Sequence, residues 1–143
     1  MRLITFTEGG ATRIGVLQGE SADQIIDLSH AEPSLPVEMI EARDEKFGAS
    51  PLHFAVMVGN TEMIGVLLDH GANIEAPDEM FELTALHLVA GGSTPSVVEI
   101  LLDRGADATA PDNDGDTPFN YAKSNEALKN TEAYWRLHDA QYR

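Results

Sequence analysis

Five histidines and a dense set of acids are the side chains of this sequence that could act in catalysis or bind a metal. The segment "DNDGD", from Asp112 to Asp116, has the composition of a calcium-binding loop. An EF-hand loop that begins at Asp112 needs glycine at its sixth position and glutamate at its twelfth. Those positions hold Thr117 and Lys123. The pattern therefore favours a turn that carries solvated acids, and no metal.

The spacing of the histidines favours structure over chemistry. His53 in "SPLHFAV" and His87 in "TALHLVA" are 34 residues apart. Because both histidines recur at the structural period of the sequence, we assign both a structural role. With no cysteine, neither a disulfide nor a thiolate metal site can form. The sequence has no Gly-x-Ser-x-Gly elbow and no glycine-rich phosphate loop. We expect no catalytic residue, no metal and no cofactor, and hence no enzyme.

The histidine period belongs to a longer internal repeat. "IEARDEKF" at residues 40–47 returns as "IEAPDEMF" at residues 74–81, with six of eight residues identical. "MIGVLLDHGANIEAP" at 63–77 is matched by "VVEILLDRGADATAP" at 97–111, and "DNDGDTPFNYA" at 112–122 opens a third unit. Self-similarity at a fixed period of this size is typical of a solenoid.

Each repeat predicts two helices and an extended loop, which we call the finger. Ser50 followed by Pro51 suits an N-cap and the first helical position, and Gly59 suits the end of that helix. A second apolar stripe follows, and then a polar finger. In the next repeat, Gly91 and Gly92 fall within the first helix. They should shorten or loosen it, because glycine costs about 1 kcal/mol relative to alanine in a helix.

These residues resemble the ankyrin repeat from about residue 40 to the C-terminus. "SPLH" and "TALH" occupy the family's Thr-Pro-Leu-His signature, and "VLLDHGANIEA" and "ILLDRGADATA" match the end of its second helix. The resemblance implies a solenoid of two full repeats and a C-terminal capping repeat. In departure from the family, Ala85 replaces the signature proline, Asn120 replaces the histidine, and Glu82 replaces the finger glycine kept at Gly48 and Gly115.

The resemblance also implies where a partner binds, since ankyrin domains usually meet partners with finger tips and the exposed side of the first helices. The corresponding candidates are Lys46, Phe47, Met57, Val58, Met80, Phe81, Glu82, Leu83, Asn113 and Asp114. Phe47 and Phe81 recur at the repeat period, so they could equally pack as spacers between fingers. Met57, Met80 and Leu83 do not recur as apolar residues in every repeat, and they are the stronger interface candidates.

Residues 1–39 do not follow the repeat. "RLITFTE", "TRIGVLQ" and "QIIDLS" alternate apolar and polar residues between turns, which predicts a short antiparallel β-meander. The predicted fold is thus mainly α with a small β part, divided into a domain of residues 1–39 and a repeat domain of 40–143. The meander is similar to the N-terminal domain of fumarylacetoacetate hydrolase-type enzymes, whose catalytic domain is absent here. We expect it to cap the first repeat, although an appendage with its own ligand is the alternative.

The charge narrows the choice of partners. The net charge of −15 comes from 24 acids and 9 bases. Such a surface disfavours nucleic acid and anionic membranes, and it favours a basic or amphipathic protein. No signal peptide or membrane span is evident, so we expect a cytoplasmic protein. The sequence predicts a non-enzymatic protein-binding module. An accessory or remnant of a hydrolase, and a homo-oligomer joined through apolar fingers, stay open as alternatives.

Overall fold

A computed structural model describes the backbone of residues 2–8, 11–18, 24–27 and 40–142, and the side chains of residues 40–142. The chain divides into two compact units, Met1–Asn73 and Ile74–Arg143. Each unit has its own arrangement of elements, and each is described by itself.

The first unit begins with three strands. They are β1 (Arg2–Glu8), β2 (Ala11–Gln18) and β3 (Gln24–Asp27). All pair antiparallel in the order β1-β2-β3, with Leu3 opposite Val16 and Val16 opposite Ile26. The predicted connection through Pro33 and Pro36 lies outside the described residues. The predicted domain boundary after residue 39 adjoins that same segment.

From residue 41 onward, the first unit has two helices, α1 (Pro51–Val58) and α2 (Thr61–Asp69). As the sequence predicts, Ser50 is the N-cap of α1 and Pro51 is its first residue. Asn60 caps α2, because its side-chain Oδ1 accepts the N–H of Met63 at 3.0 Å. The helices pack against each other through side chains that are fully buried, namely Leu52, Ala55, Val56, Met63, Ile64 and Leu67.

The second unit holds four helices: α3 (Ala85–Gly92), α4 (Pro95–Asp103), α5 (Pro118–Ala122) and α6 (Glu132–Ala140). Helix α3 packs on α4 and α5, and α6 packs on α4 and α5. This closed arrangement buries one core of apolar side chains, formed by Leu86, Val89, Val97, Val98, Leu101, Phe119, Leu128 and Leu137.

The expectation that two glycines shorten the first helix of the second repeat is wrong. Helix α3 continues through Gly91 and Gly92 and has eight residues, as α1 does. Packing explains the difference. A Cβ at Gly91 would lie 3.6 Å from Cδ1 of Tyr121, so this turn lies close against the side chain of the next repeat. Tertiary contact of this kind overrides a weak helix propensity.

Candidate functional site

One aspartate organises the finger of each repeat, and it recurs every 34 residues at Asp44, Asp78 and Asp112. In the second finger, Oδ1 of Asp78 accepts the N–H of Met80 at 3.0 Å and that of Phe81 at 2.7 Å. The backbone N–H of each aspartate also donates a hydrogen bond to a carbonyl on the other side of its turn. For Asp78 this acceptor is the carbonyl of Leu83, at 2.9 Å. These bonds fix the finger backbone before any partner arrives. Sequence reasoning missed this role, although the periodic aspartate was its signal.

Asp112 is the most densely bonded of the three. Its Oδ1 accepts the N–H groups of Asp114 and Asp116, each at 2.9 Å, and its Oδ2 accepts the hydroxyl of Tyr121 at 2.5 Å. Only 6% of Asp112 is exposed. The interpretation of "DNDGD" as solvated acids is therefore wrong for Asp112. The donors in its own turn replace the water that burial removes.

This network moves two pKa values. Burial raises the pKa of Asp112, but the hydrogen bonds from Tyr121 and from the N–H groups of Asp116 and Asp114 outweigh it, so the pKa lies below its ordinary value. The hydrogen bond to Asp112, burial and the nearby carboxylates raise the pKa of Tyr121 from 10.0 to about 12. The Tyr121 phenol therefore stays protonated and hydrogen-bonded to Asp112. This favours a structural role, because a nucleophilic tyrosine needs a lowered pKa.

The alkaline stability of the protein should depend on Tyr121. Since its folded pKa of about 12 exceeds its unfolded value of 10.0, the native state holds the proton longer and stability falls as pH rises from 10 to 12. Allowing for partial exposure of the ring, we expect a loss of about 2 kcal/mol. Urea unfolding of wild type and Tyr121→Phe at several pH values measures it. The stability difference between them should shrink across this interval, and a constant difference would contradict the assignment.

The two signature histidines bond the first turns of their helices. Nδ1 of His53 accepts the N–H of Ser50 at 3.1 Å, and Nδ1 of His87 accepts the N–H of Thr84 at 3.1 Å. Because Nδ1 of His87 accepts, Nε2 carries the proton and donates to the carbonyl of Asp116 at 3.2 Å. Both rings are buried. Their hydrogen bonds are those expected of structural residues.

Asn120 takes the place of the histidine in the third repeat and accepts the equivalent hydrogen bonds from the N-cap residue. Its Oδ1 accepts the Thr117 hydroxyl at 2.9 Å and the Thr117 N–H at 3.4 Å. Its Nδ2 donates to Oδ1 of Asp116 at 2.6 Å. The amide thus supplies the acceptor that the imidazole supplies elsewhere, and the first turn keeps its cap.

In the first unit, the predicted binding residues are at the surface. Phe47 is 38% exposed, Met57 is 67% exposed and Val58 is 39% exposed. The ammonium of Lys46 lies 4.8 Å from the centroid of the Phe47 ring. Phe47 and Lys46 lie in the finger, whereas Met57 and Val58 lie at the end of α1. Apolar surface is therefore presented by both parts of this repeat.

In the second unit, the finger presents Met80 and Phe81, which are 46% and 47% exposed. The main-chain carbonyls of both accept hydrogen bonds from Asn113 in the next finger: its N–H reaches Phe81 at 3.2 Å and its Nδ2 reaches Met80 at 3.5 Å. Leu83, by contrast, is partly buried, and its carbonyl accepts the N–H of Asp78 at 2.9 Å. Leu83 therefore contributes less accessible surface than its neighbours.

Glu82 holds an unusual backbone conformation. Its φ is +57°, in the left-handed region, where the other fingers have Gly48 at +64° and Gly115 at +83°. This region costs a residue with a Cβ about 1–2 kcal/mol relative to ordinary φ values. The second finger thus carries a charged and exposed side chain at a position where glycine would be less strained.

Three further properties of the described residues concern a surface hollow, metal binding and membrane spans. A shallow hollow of about 220 Å³ is lined by Asp116, Asn120, Tyr121 and Ser124. Within the described part of the chain, no three His, Asp or Glu side chains are grouped as a metal site would require. None of the described helices combines the length and the apolar character needed to cross a bilayer.

A protein-family model matches the repeated part of the chain. The family model of ankyrin repeats, in three copies, matches residues 52–137. No curated protein matches the chain. The match does not include the N-terminal segment, and no finding supports its resemblance to fumarylacetoacetate hydrolase-type enzymes. Ankyrin repeats are in general protein-interaction modules. Because the model covers more than half of the 143 residues, and because the repeated helices, caps and fingers agree with it, the chain belongs to the ankyrin-repeat family.

Proposed function

We propose that this protein is a non-enzymatic binding module that holds a protein partner with its fingers and with the exposed side of its first helices. The exposure of Met80 and Phe81 on a hydrogen-bonded finger carries the proposal. Methionine and aromatic residues are enriched in interface cores. A backbone that Asp78 and Asn113 already hold loses little further entropy on binding.

The charge around this finger defines the partner's chemistry. Glu79 and Glu82 flank Met80 and Phe81, and both carboxylates are exposed. A partner segment with apolar anchors and basic neighbours would fit both features. The net charge of −15 would speed its approach at low salt.

The test is a double substitution in the finger tip. Proteins captured from the native host are identified, and the affinity of a purified partner is then measured. Met80→Ser with Phe81→Ser should weaken binding at least tenfold, since buried interface anchors contribute about 2 kcal/mol or more. Tyr142→Ser is the control, because Tyr142 is 74% exposed and lies outside the fingers. Equal affinities of the finger variant and wild type, with unchanged melting curves, would refute the finger site.

Glu82→Gly separates stability from recognition. We expect the substitution to raise the free energy of unfolding by about 0.5–1 kcal/mol, because relief of left-handed strain exceeds the entropy that glycine adds to the unfolded chain. The same substitution should weaken the partner if the carboxylate contacts a basic residue. Glu79→Gly, at a neighbouring position without positive φ, is the matched control and should destabilise. Destabilisation by Glu82→Gly would contradict the strain assignment.

We further propose that residues 1–39 form a β-meander that caps the first repeat. Strand β2 lies in contact with α1, and both belong to the same compact unit. The end of a repeat array exposes apolar surface unless something covers it. A chain that begins at Leu35 should therefore melt more than about 3 °C below the whole chain, which corresponds to a loss of more than about 1 kcal/mol in the free energy of unfolding. An unchanged melting temperature would favour an independent appendage.

Homo-oligomer formation is the second candidate, and the same exposed fingers favour it. Sedimentation velocity over a hundredfold range of concentration distinguishes it from a monomeric module. A dimer that Met80→Ser with Phe81→Ser dissociates would make a second copy the partner. The hydrolase alternative has no structural observation in its favour.

A further inference from the structure

A groove in the second unit lies away from the finger tips and from the first helices of the repeats. It has a volume of about 430 Å³ and runs between the end of α4 and one face of α6. The α6 face is a helical stripe, spaced three, four, seven and eight residues from its first member, of Glu132, Trp135, Arg136, Asp139 and Ala140. Leu102 and Ala108 supply apolar surface on the other side.

Trp135 is the main aromatic surface of this groove. It is 50% exposed although the same helix buries Ala133 and Leu137 completely. The rings of Tyr134 and His138 hold it in edge-to-face contact, with centroids at 5.5 Å and 5.4 Å. A rigid, half-exposed indole is a surface on which a cation can stack.

The charges of the groove favour a cation. Arg136 donates to Oδ1 of Asp103 at 2.7 Å, so a carboxylate already offsets its charge. Glu132 and Asp139 remain on either side of Trp135 along the helix stripe. Oδ1 of Asp139 lies 2.9 Å from Nδ1 of His138, which orients the carboxylate. One indole and two carboxylates thus line one side of the groove.

We propose that this groove binds a basic peptide segment, with a lysine or arginine side chain stacked on Trp135 between Glu132 and Asp139. Leu102 and Ala108 contact the aliphatic part of that side chain. An arginine suits the site because its flat guanidinium stacks on an aromatic ring and also donates to carboxylates. This second surface does not depend on the finger site.

The only tryptophan of the chain lies in the groove, so its fluorescence reports on this site alone. We expect an acetylated tetra-arginine peptide to change Trp135 emission saturably. A peptide of four citrullines, which has similar shape and no charge, should not. Glu132→Gln with Asp139→Asn should weaken the arginine peptide about fivefold or more, in keeping with the loss of two exposed ion pairs.

Control variants test whether the arginine peptide binds at the groove or elsewhere on the protein. Glu41→Gln with Glu62→Gln removes the same two charges at exposed positions outside the groove and outside the proposed finger site. This pair should change the affinity for the arginine peptide by less than about twofold. Met80→Ser with Phe81→Ser should also leave the titration unchanged, so failure at the fingers and failure at the groove are distinguishable. Calorimetry with Trp135→Leu should show about threefold weaker binding, since the stacking surface is lost.

Three results would overturn the proposal. Equal weakening by the two charge-matched pairs would mean nonspecific attraction to an acidic protein. Equal binding of the citrulline peptide, or no saturable change at millimolar peptide, would mean that the groove does not select a cation. Quenching that follows protein concentration, together with dimers in sedimentation, would mean that a second copy occupies the groove.

Discussion

Replacing Leu101 by alanine is expected to lower the free energy of unfolding by about 2–5 kcal/mol. Leu101 has no exposed surface, and its helix α4 packs on both α3 and α6. The closed arrangement of the second unit leaves little room for the neighbours to collapse, so the substitution loses both the transfer free energy of the leucine and the contacts around the cavity.

Leu102→Ala is the matched control for Leu101, because it is the same change one residue along the same helix. Leu102 is partly exposed and lines the groove. Leu102→Ala should therefore lower the free energy of unfolding by less than half as much as Leu101→Ala does. Urea unfolding followed by Trp135 fluorescence measures both variants in the second unit. Equal decreases in the free energy of unfolding would mean that α4 does not bury the face that carries Leu101.

Replacing Asp112 by alanine is expected to lower the free energy of unfolding by about 3 kcal/mol, because hydrogen bonds to a buried charged acceptor contribute about 1.5–3 kcal/mol and the abandoned donors add a cost. The N–H groups of Asp114 and Asp116 and the hydroxyl of Tyr121 would all lose this acceptor. Asp114→Ala, in the same turn with an exposed side chain, should change stability by less than about 0.5 kcal/mol.

The pH dependence adds a second test of Asp112. Its folded pKa lies below the ordinary value of 3.8, so its stabilisation is present above that pH and is lost as the pH falls through the folded pKa. The stability difference between wild type and Asp112→Ala should therefore narrow only under acid conditions below about pH 4. A difference that narrows near neutral pH would implicate another group.

Much of the repeat could be predicted from the sequence because its signals are local. Ser50 followed by Pro51 marks the start of α1, and the structure places the N-cap and the first helical residue there. His53 and His87 bond a backbone group only three residues away. Interactions over so few residues depend on residue type and order, and both are visible in one sequence.

The two incorrect expectations concern the glycines of α3 and the solvation of Asp112, and both involve contacts with Tyr121. Helix α3 stays helical at Gly91, where Tyr121, thirty residues later, packs against it. Asp112 is buried because Tyr121 and its own turn supply donors, whereas composition alone suggests a solvated acid. Leu83 and Met80 are both apolar finger residues in the sequence, and the structure distinguishes them because Met80 is exposed and Leu83 is partly buried. That either residue contacts a partner stays a prediction.

The sequence by itself determined the period, the family, the capped helix starts and the acidic charge, because each depends on local pattern or on composition. Only the tertiary structure decided which carboxylates are buried, which finger residues face solvent, and that Glu132, Trp135 and Asp139 line one groove with Leu102. Burial depends on side chains that packing brings together from separate segments of the chain. The helical spacing places Glu132, Trp135 and Asp139 on one face of α6, but the groove forms only because that face lies beside the end of α4, and no spacing along the chain encodes this contact.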